Sequence, residues 1–291
     1  MKTAKEIIVA SSSKKKKKRA KRSETSTHEK LRHRKKLEMK KSAEDRVAAA
    51  KTKIRRKIAN LDDQELWAEF ETDEIDRILR GEIKPKTLIT TTLVDPSMYN
   101  AEIYARRQRF VAEELLSVLP SSSYCERRAD TNLHEVERIA KTKGFTSLVL
   151  VHTNRIGHYL CITSLLNGAT ATFRLLNFKS REDLNDLRHP KSRFYPQLQT
   201  GNFTSPMGAV VERIIQSLFP KATPCRHRDL VMFHNRSDSI LFGRYRFCIG
   251  GESDTVSPQE CGPRFSLKLT SLQNKEFEWI SETASLVKPL L

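Results

Sequence analysis

The side chains best suited to bind a polyanion lie toward the end of the chain, where arginines stand among aromatic residues. The arginines are Arg226, Arg228, Arg236, Arg244, Arg246 and Arg264, and the aromatic residues are Phe242, Tyr245, Phe247 and Phe265. A guanidinium group can hold two phosphate oxygens and stack on a nucleobase, and aromatic rings also stack on bases. Together with Lys268, these arginines are the candidate RNA-binding residues.

Arg244 and Arg246 alternate with other residues in the predicted strand Leu241 to Phe247, so both side chains should lie on one face of a sheet. Arg264 belongs to a Gly-Pro-Arg-Phe turn. Three buried, uncompensated guanidinium groups would be very costly. We therefore expect the three arginines to be exposed, paired with carboxylates or bound to phosphate. Two alternatives stay open, an ordinary solvated polar face and a structural Arg264 bonded to carbonyl groups between the halves of the domain.

No sequence motif for catalysis is present, because the nucleotide-binding, hydrolase and metalloprotease patterns are all missing. His152 and His234 could form an acid–base pair with Asp238, but a hydrogen-bonded turn explains the same residues. The five cysteines show no C-x-x-C spacing, and Cys225 with His227 and His234 lacks a further ligand at a usual spacing. We expect no catalytic residue, no metal and no cofactor.

The first sixty residues carry most of the positive charge of the chain. They hold 23 basic and six acidic residues, a net charge of +17, while the whole chain carries +18. We expect this segment, 1–60, to be disordered or to become helical on RNA. Its densest block is predicted to be a nuclear-import signal. The block consists of Lys14, Lys15, Lys16, Lys17, Lys18, Arg19, Lys21 and Arg22.

Three further segments follow the basic one. Residues 61–83 carry a net charge of −7 and a helical spacing of apolar residues, which predicts a short acidic amphipathic helix ended by Gly81 and Pro85. Residues 84–281 should form the folded domain, in halves of about 84–180 and 196–281, and 282–291 a C-terminal tail. No apolar run approaches the roughly 20 residues needed to cross a bilayer, so we expect no membrane partner.

Helical and strand periods alternate in the domain, which predicts an α/β fold. Strands are expected at Lys86 to Thr92, Tyr124 to Arg128, Phe145 to His152, His158 to Leu166 and Ala169 to Phe178. Helices are expected at Ala101 to Leu119 and Leu133 to Lys143. Asn167-Gly168 indicates a hairpin turn, since both residues tolerate positive φ.

The pattern of the first half recurs in the second. The helical run Val111 to Pro120 resembles Val211 to Pro220, and the strand Leu148 to His152 resembles Leu230 to His234. The first interval between helix and strand is 28 residues and the second is 10. This predicts two related α/β halves, the second lacking one strand and one helix. Chance similarity of amphipathic patterns is the alternative.

Four segments of the chain resemble, in order, the motifs of the Brix-domain family. They are Asn167-Gly-Ala-Thr-Ala-Thr-Phe, Asn202-Phe-Thr-Ser, His234-Asn-Arg-Ser-Asp-Ser-Ile-Leu-Phe and Gln259-Glu-Cys-Gly-Pro-Arg-Phe. The family pattern has Pro where this chain has Ala169 and Arg where it has Ser237. The resemblance covers about Lys84 to Ile280.

The resemblance implies a Brix domain of two α/β halves in a nucleolar, non-enzymatic, rRNA-binding assembly factor. Its implied partners are pre-rRNA, a pre-ribosomal particle and a second assembly factor as heterodimer partner. The ending Phe265 to Gln273 with Glu278-Trp279-Ile280 is most similar to a branch whose implied product is the large (60S) ribosomal subunit. A protein-only nuclear scaffold and a factor of this family acting on the small-subunit precursor stay open as alternatives.

Overall fold

The computed structural model describes residues 56–57, 73–127, 131–184, 195–221, 229–237, 239–249, 256–274 and 277–281. The chain divides into two compact units, 1–54 and 55–291, and every described residue belongs to the second. The strands are β1 (Arg56–Lys57), β2 (Thr87–Thr91), β3 (Ser122–Tyr124), β4 (Ser147–Thr153), β5 (His158–Ser164), β6 (Thr170–Lys179), β7 (Gln197–Gly201), β8 (Asp229–Arg236), β9 (Ser239–Ile249), β10 (Val256–Gln273) and β11 (Phe277–Ile280). The helices are α1 (Asp73–Leu79), α2 (Ala101–Val118), α3 (Leu133–Thr142) and α4 (Pro206–Gln216).

One mixed sheet runs through the described part of the chain. Its strand order is β3-β2-β4-β5-β6-β10-β9-β8-β7, while β11 pairs with β10 and with β1. The pairs β2–β3, β2–β4, β7–β8 and β1–β11 are parallel, and the other pairs are antiparallel. The α/β fold class predicted from the alternating periods is confirmed.

The predicted repeat is present in the topology. In the first half β2 lies parallel to β4, and β4, β5 and β6 continue as an antiparallel meander. In the second half β7 lies parallel to β8, and β8, β9 and β10 continue in the same way. The two halves meet where β6 pairs with β10. The second half has no counterpart of β3 and α3 among its described residues, which is the abridgement that the shorter interval predicted.

The two halves bury their sheets differently. A large apolar core lies under α1, α2 and α4 and extends across both halves on one face of the sheet. A smaller core lies on the opposite face of the first half, between the sheet and α3. Successive side chains of a strand point to opposite faces, so β4 places Val149 in the large core and Leu150 in the small one. Strand β4 is therefore buried on both faces, which explains its nearly continuous apolar sequence.

The Asn167-Gly168 hairpin joins β5 to β6 as expected. The Asn167 side-chain oxygen accepts a hydrogen bond from the Ala169 N–H at 3.0 Å. Gly168 has a φ of 81°, which glycine adopts without steric cost. The turn thus combines a side-chain cap with the backbone freedom of one glycine.

Two predicted boundaries were wrong. The strand expected at Tyr124 to Arg128 is β3, which begins at Ser122 because the chain turns at Ser121, with a φ of 53°, and pairs with β2 from there. The helix expected from Val211 to Pro220 is α4, which begins at Pro206 and ends at Gln216. Ser205 caps this helix, its Oγ accepting a hydrogen bond from the Gly208 N–H at 3.0 Å, and Pro206 fits the first turn.

The described part of the predicted acidic helix is α1, and residues 61–72 lie outside the described residues. Ile75 and Ile78 of α1 are fully buried, and Asp76 forms an ion pair with Arg213 of α4 at 3.6 Å. Gly81, at a φ of 85°, follows the helix end. Among the described residues, no helix is both long and apolar enough to cross a membrane.

Candidate nucleic-acid interface

Arg244 and Arg246 both contact one buried carboxylate. Their positions in β9 are opposite Val231 and Asp229 of β8, so the side chains of Asp229 and both arginines lie on the same face. The Arg246 guanidinium donates to Asp229 at 2.7 and 3.1 Å, and Arg244 Nη2 donates to Asp229 at 3.2 Å. The prediction that the two arginines share a face is confirmed.

Of the three states expected for these two arginines, the structure shows pairing with a carboxylate. The side chains of Arg244 and Arg246 are only 10% and 14% exposed, and that of Asp229 is 4% exposed. Burial by itself would raise the pKa of Asp229, but the two guanidinium groups outweigh it and hold that pKa below its ordinary value. The carboxylate is the compensation that burial of two cations requires.

Arg264 lies in the middle of the long strand β10, at a shift in register with β9, and not in the turn that the sequence predicted. Its Nη1 donates to both carboxylate oxygens of Glu260, at 2.9 and 3.1 Å, and its side chain is 43% exposed. Arg264 lies opposite Lys179 of β6. The alternative of bonds to carbonyl groups between the halves does not describe this arginine, whose partner is a carboxylate on its own strand.

The remaining candidate residues are spread over the molecule. Arg236 is exposed at the end of β8, and Lys268 is half-buried in β10, opposite Arg174 of β6. Arg226, Arg228 and the block from Lys14 to Arg22 lie outside the described residues. The structure therefore brings Arg244 and Arg246 together and leaves Arg236, Arg264 and Lys268 apart. RNA contact by any of these residues stays a prediction.

The Gly-Pro-Arg-Phe segment forms the junction between the halves. A Cβ atom on Gly262 would lie 2.4 Å from the Cα atom of Arg181, so only glycine permits this approach of two backbones. Phe265 stacks on Phe242 of β9 with ring centroids 4.2 Å apart, and on Phe178 of β6 at 6.2 Å. The motif thus joins the end of β6 to the second half.

A continuous row of phenylalanine rings crosses this junction. Neighbouring ring centroids are 4.2 to 6.2 Å apart, and three of the five pairs are edge-to-face. In order, the row consists of Phe110, Phe178, Phe265, Phe242, Phe233 and Phe219. It begins on α2 and ends after α4. Sequence reasoning did not predict the row, because its members are far apart in sequence.

Two other family-like motifs contact each other at one end of the sheet. The Asn202 side-chain amide donates to the Asn235 carbonyl at 2.8 Å, and the Asn235 amide donates to the Asn202 carbonyl at 3.1 Å. Asn202 has a φ of 64°, a conformation that asparagine tolerates better than most residues. These reciprocal bonds fasten the end of β7 to the end of β8, next to the exposed Arg236.

A buried ion pair fixes α2 to the segment after β6. The carboxylate of Glu114, 7% exposed, accepts from the Arg181 backbone N–H at 3.1 Å and from the Arg181 side chain at 3.1 Å. Sequence reasoning missed this pair. The only signal was an acidic residue among the apolar residues of the helix Ala101 to Leu119.

The histidines considered for catalysis have separate environments. His152 Nδ1 lies 2.9 Å from Thr92 Oγ1, and burial lowers the pKa of His152. His234 is exposed, and Asp238 lies outside the described residues. Within the described ranges no group of three His, Cys, Asp or Glu residues could hold a metal ion. The described contacts of His152 are those of a hydrogen-bonded structural residue.

Comparison with known proteins gives a consistent set of relatives. The Brix domain profile matches residues 104–271. Probable ribosome production factor 1 of Drosophila melanogaster is 30% identical over 236 residues, which are 80% of this chain and 57% of that protein. Ribosome production factor 1 of Saccharomyces cerevisiae is 28% identical over 271 residues, 87% of each chain. The chain thus spans less than two thirds of the fruit-fly relative.

A solved structure, the probable ribosomal biogenesis protein of Aeropyrum pernix, also resembles the chain. It covers 63% of this chain and 96% of its own, with 13% sequence identity and a TM-score of 0.44.

Proposed function

Because the chain belongs to the Brix-domain family, we propose that it is a non-enzymatic, rRNA-binding assembly factor for the large ribosomal subunit. It would act in the nucleolus, on the precursor particle and its rRNA. The observation that carries the proposal is the 30% identity, over 80% of this chain, to a protein named as a ribosome production factor. The four ordered motifs agree with it. Asn167 caps the β5–β6 turn, Asn202 and Asn235 bond to each other, and Phe265 stacks on Phe242.

Electrostatics supports RNA as the ligand. The net charge of +17 on residues 1–60 and of +8 on residues 84–291 provides many cations for phosphate. Each cation that neutralises a phosphate releases condensed counterions, so affinity falls steeply as salt rises. The proposed organisation is a folded domain, 84–281, that binds pre-rRNA and a protein partner, and a basic segment, 1–60, that contacts several RNA segments.

Cosedimentation tests the proposal most directly. The tagged full chain should sediment with large-subunit precursor particles and should leave them after nuclease treatment. Deletion of Met1 to Asn60 should flatten the salt dependence of RNA affinity. Particle binding that survives nuclease would favour the protein-only scaffold. Sedimentation with small-subunit precursors would favour a factor that acts on the small-subunit precursor. Equal salt slopes for full-length and truncated chains would remove the RNA role of the basic segment.

The block from Lys14 to Arg22 is the proposed import signal. A dense block of lysine and arginine is the feature that import receptors recognise. Replacement of its eight basic residues by Ser and Ala should leave a reporter fusion in the cytoplasm. Unchanged nuclear accumulation would assign import to another basic stretch, such as Arg32 to Lys41.

The open side of the second half supports a protein partner. Strand β7 pairs only with β8 in the described sheet, whereas its counterpart β2 pairs with β3 as well as β4. The face opposite the large core carries half-buried apolar residues, namely Leu230, Met232, Leu241 and Tyr245. We propose that a second assembly factor adds a strand beside β7 and lays a helix on this face. In the first half, β3 and α3 fill the corresponding places.

A pair of substitutions tests the partner surface. Met232→Lys places a charge on the open face and should abolish copurification of the partner with little change in melting temperature. Leu150→Lys, at the corresponding position under α3, should unfold the domain, because Leu150 is 2% exposed. Partner binding retained by a folded Met232→Lys chain would exclude this face as the docking surface and leave RNA binding untouched.

A further inference from the structure

The first half contains a cavity of about 540 Å³ that the family comparison does not assign. It opens between the edge formed by β2 and β3 and the helix α3, on the face of the smaller core. Its apolar walls include Leu88, Tyr124, Val136, Ile139, Ala140 and Phe145. This volume lies in the range of ligand sites, roughly 300 to 1,000 Å³.

Three cations line the cavity. Its lining includes Lys86, Arg127 and Lys143 but only one acidic residue, Glu126. Lys86 Nζ lies 4.3 Å from the centre of the Phe145 ring and donates to the Lys143 carbonyl at 3.4 Å. In the described structure none of the three cations has an ion pair, and the Arg127 Nε is buried without a hydrogen-bond partner. Burial also lowers the pKa of Arg127.

We infer that this cavity takes one unstacked nucleobase of an RNA strand, while Lys86, Arg127 and Lys143 contact the flanking phosphates. The inference rests on the proposed RNA-binding function and names the site at which a base would be held. Tyr124 and Phe145 offer aromatic surfaces at the walls, and bases stack on such rings whatever their sequence. Three cations against one carboxylate favour a polyanion over an apolar peptide. The orphaned Arg127 Nε would gain the acceptor that it lacks.

The site belongs to the part of the fold that the second half lacks. Strand β3 supplies Ser123 and Tyr124, and α3 supplies Val136, Ile139 and Ala140. The described second half has no strand and helix in the corresponding places. In the described part of the chain the repeat therefore forms this cavity once, and it would hold a single base and not a run of bases.

The test uses the full chain and a short single-stranded oligoribonucleotide carrying one 2-aminopurine, whose fluorescence changes when the base is stacked. Ile139→Trp should fill the mouth, because Ile139 is 39% exposed and its replacement leaves the core intact. We expect about a tenfold loss of affinity and loss of the fluorescence change. Arg127→Gln with Lys143→Gln should weaken binding and reduce its salt dependence. Matched controls are Ile156→Trp in the β4–β5 turn and Arg106→Gln on α2, whose exposed side chains lie outside the cavity lining, and both should bind as the wild type does.

Cys125 at the rim gives a second readout. Its thiol is free and exposed, whereas Cys161 and Cys261 are buried. In a chain carrying Cys225→Ser and Cys248→Ser, bound oligonucleotide should slow alkylation of Cys125, and an abasic oligonucleotide should protect it less. The cavity site would be overturned if Ile139→Trp bound RNA with wild-type affinity and bound oligonucleotide did not slow alkylation of Cys125. The proposed function would then still stand. Loss of a protein partner in Ile139→Trp, with RNA binding intact, would make the cavity a protein site and overturn the inference. No RNA binding by the wild type would overturn the proposed function itself.

Discussion

The two halves of the sheet share a topology but differ in what covers them. In the first half, α2 and α3 cover both faces, and in the second half the large core covers one face only. Among the described residues, the second half has no counterpart of β3 and α3, so β7 pairs on one side only and the face opposite the large core carries half-buried apolar side chains. Under the proposed function, the surface for a protein partner arises where the repeated fold has lost these two elements.

The polar residues at corresponding places also differ. In the first half, Thr87, Ser147 and Ser164 are neighbours across three strands, and their buried hydroxyl groups have no hydrogen-bond partner in the described structure. In the second half, the pair Asp229 and Arg246 occupies the register that Ser147 and Ser164 occupy in the first. Small hydroxyl groups fit where the sheet is covered on both faces, whereas the ion cluster keeps some access to solvent.

The largest expected effect breaks this ion cluster. Asp229→Asn would remove the carboxylate charge that the buried side chains of Arg244 and Arg246 share and should lower the free energy of unfolding by about 3–5 kcal/mol. The matched change in the first half, Ser147→Ala, removes a hydroxyl that has no partner and should change stability by less than about 1 kcal/mol. Urea denaturation of both variants measures the difference. Equal losses would show that the two positions are equivalent in energy.

The acid limb of the stability curve provides a check on the same cluster. Because the folded-state pKa of Asp229 is lowered, its contribution is present above the unfolded pKa of about 3.9 and is lost as pH falls through the folded value. The stability difference between wild type and Asp229→Asn should therefore shrink below about pH 4. A difference that stays constant down to pH 2 would exclude an ionised Asp229 as its cause.

Two glycines, Gly168 just before β6 and Gly262 within β10, are needed for different reasons. Gly168 has positive φ, so Gly168→Ala should cost about 1 kcal/mol and Gly168→Asn less. Gly262 approaches the Arg181 backbone, so Gly262→Ala should cost about 1–3 kcal/mol and Gly262→Asn no less. Thermal unfolding of the four variants distinguishes the two causes. Rescue of Gly262 by Asn would contradict the steric explanation.

Sequence reasoning predicted the fold well because its signals are periodic and local. The Asn167-Gly168 turn and the apolar period of Leu148 to His152 are contained in a few neighbouring residues. The abridged second half followed from one interval length. A predicted boundary was wrong where one residue sets it. Strand β3 begins at Ser122 because Ser121 has a left-handed backbone conformation, which the sequence did not indicate.

The candidate site was harder to predict because it depends on partners distant in sequence. Alternation placed Arg244 and Arg246 on one face, but the carboxylate that neutralises them is Asp229, on another strand. The local sequence contains no sign that this face turns inward at that point. The cavity beside Arg127 was missed for the same reason, since β2, β3 and α3 each supply part of its wall.

The smallest expected effect on stability concerns Arg264, and it separates exposed from buried arginines. The Arg264–Glu260 pair is 43% and 29% exposed, so water screens it and Arg264→Gln should cost about 0–1 kcal/mol. Arg246→Gln, in the buried cluster, should lower the melting temperature by several degrees. If Arg264 contacts RNA, Arg264→Gln should lose RNA affinity while its melting temperature is unchanged. Any loss of RNA affinity in Arg246→Gln should instead follow the loss of folded protein. A melting temperature lowered equally in both variants would show that Arg264 is also structural, because screening by water would then not distinguish the two ion pairs.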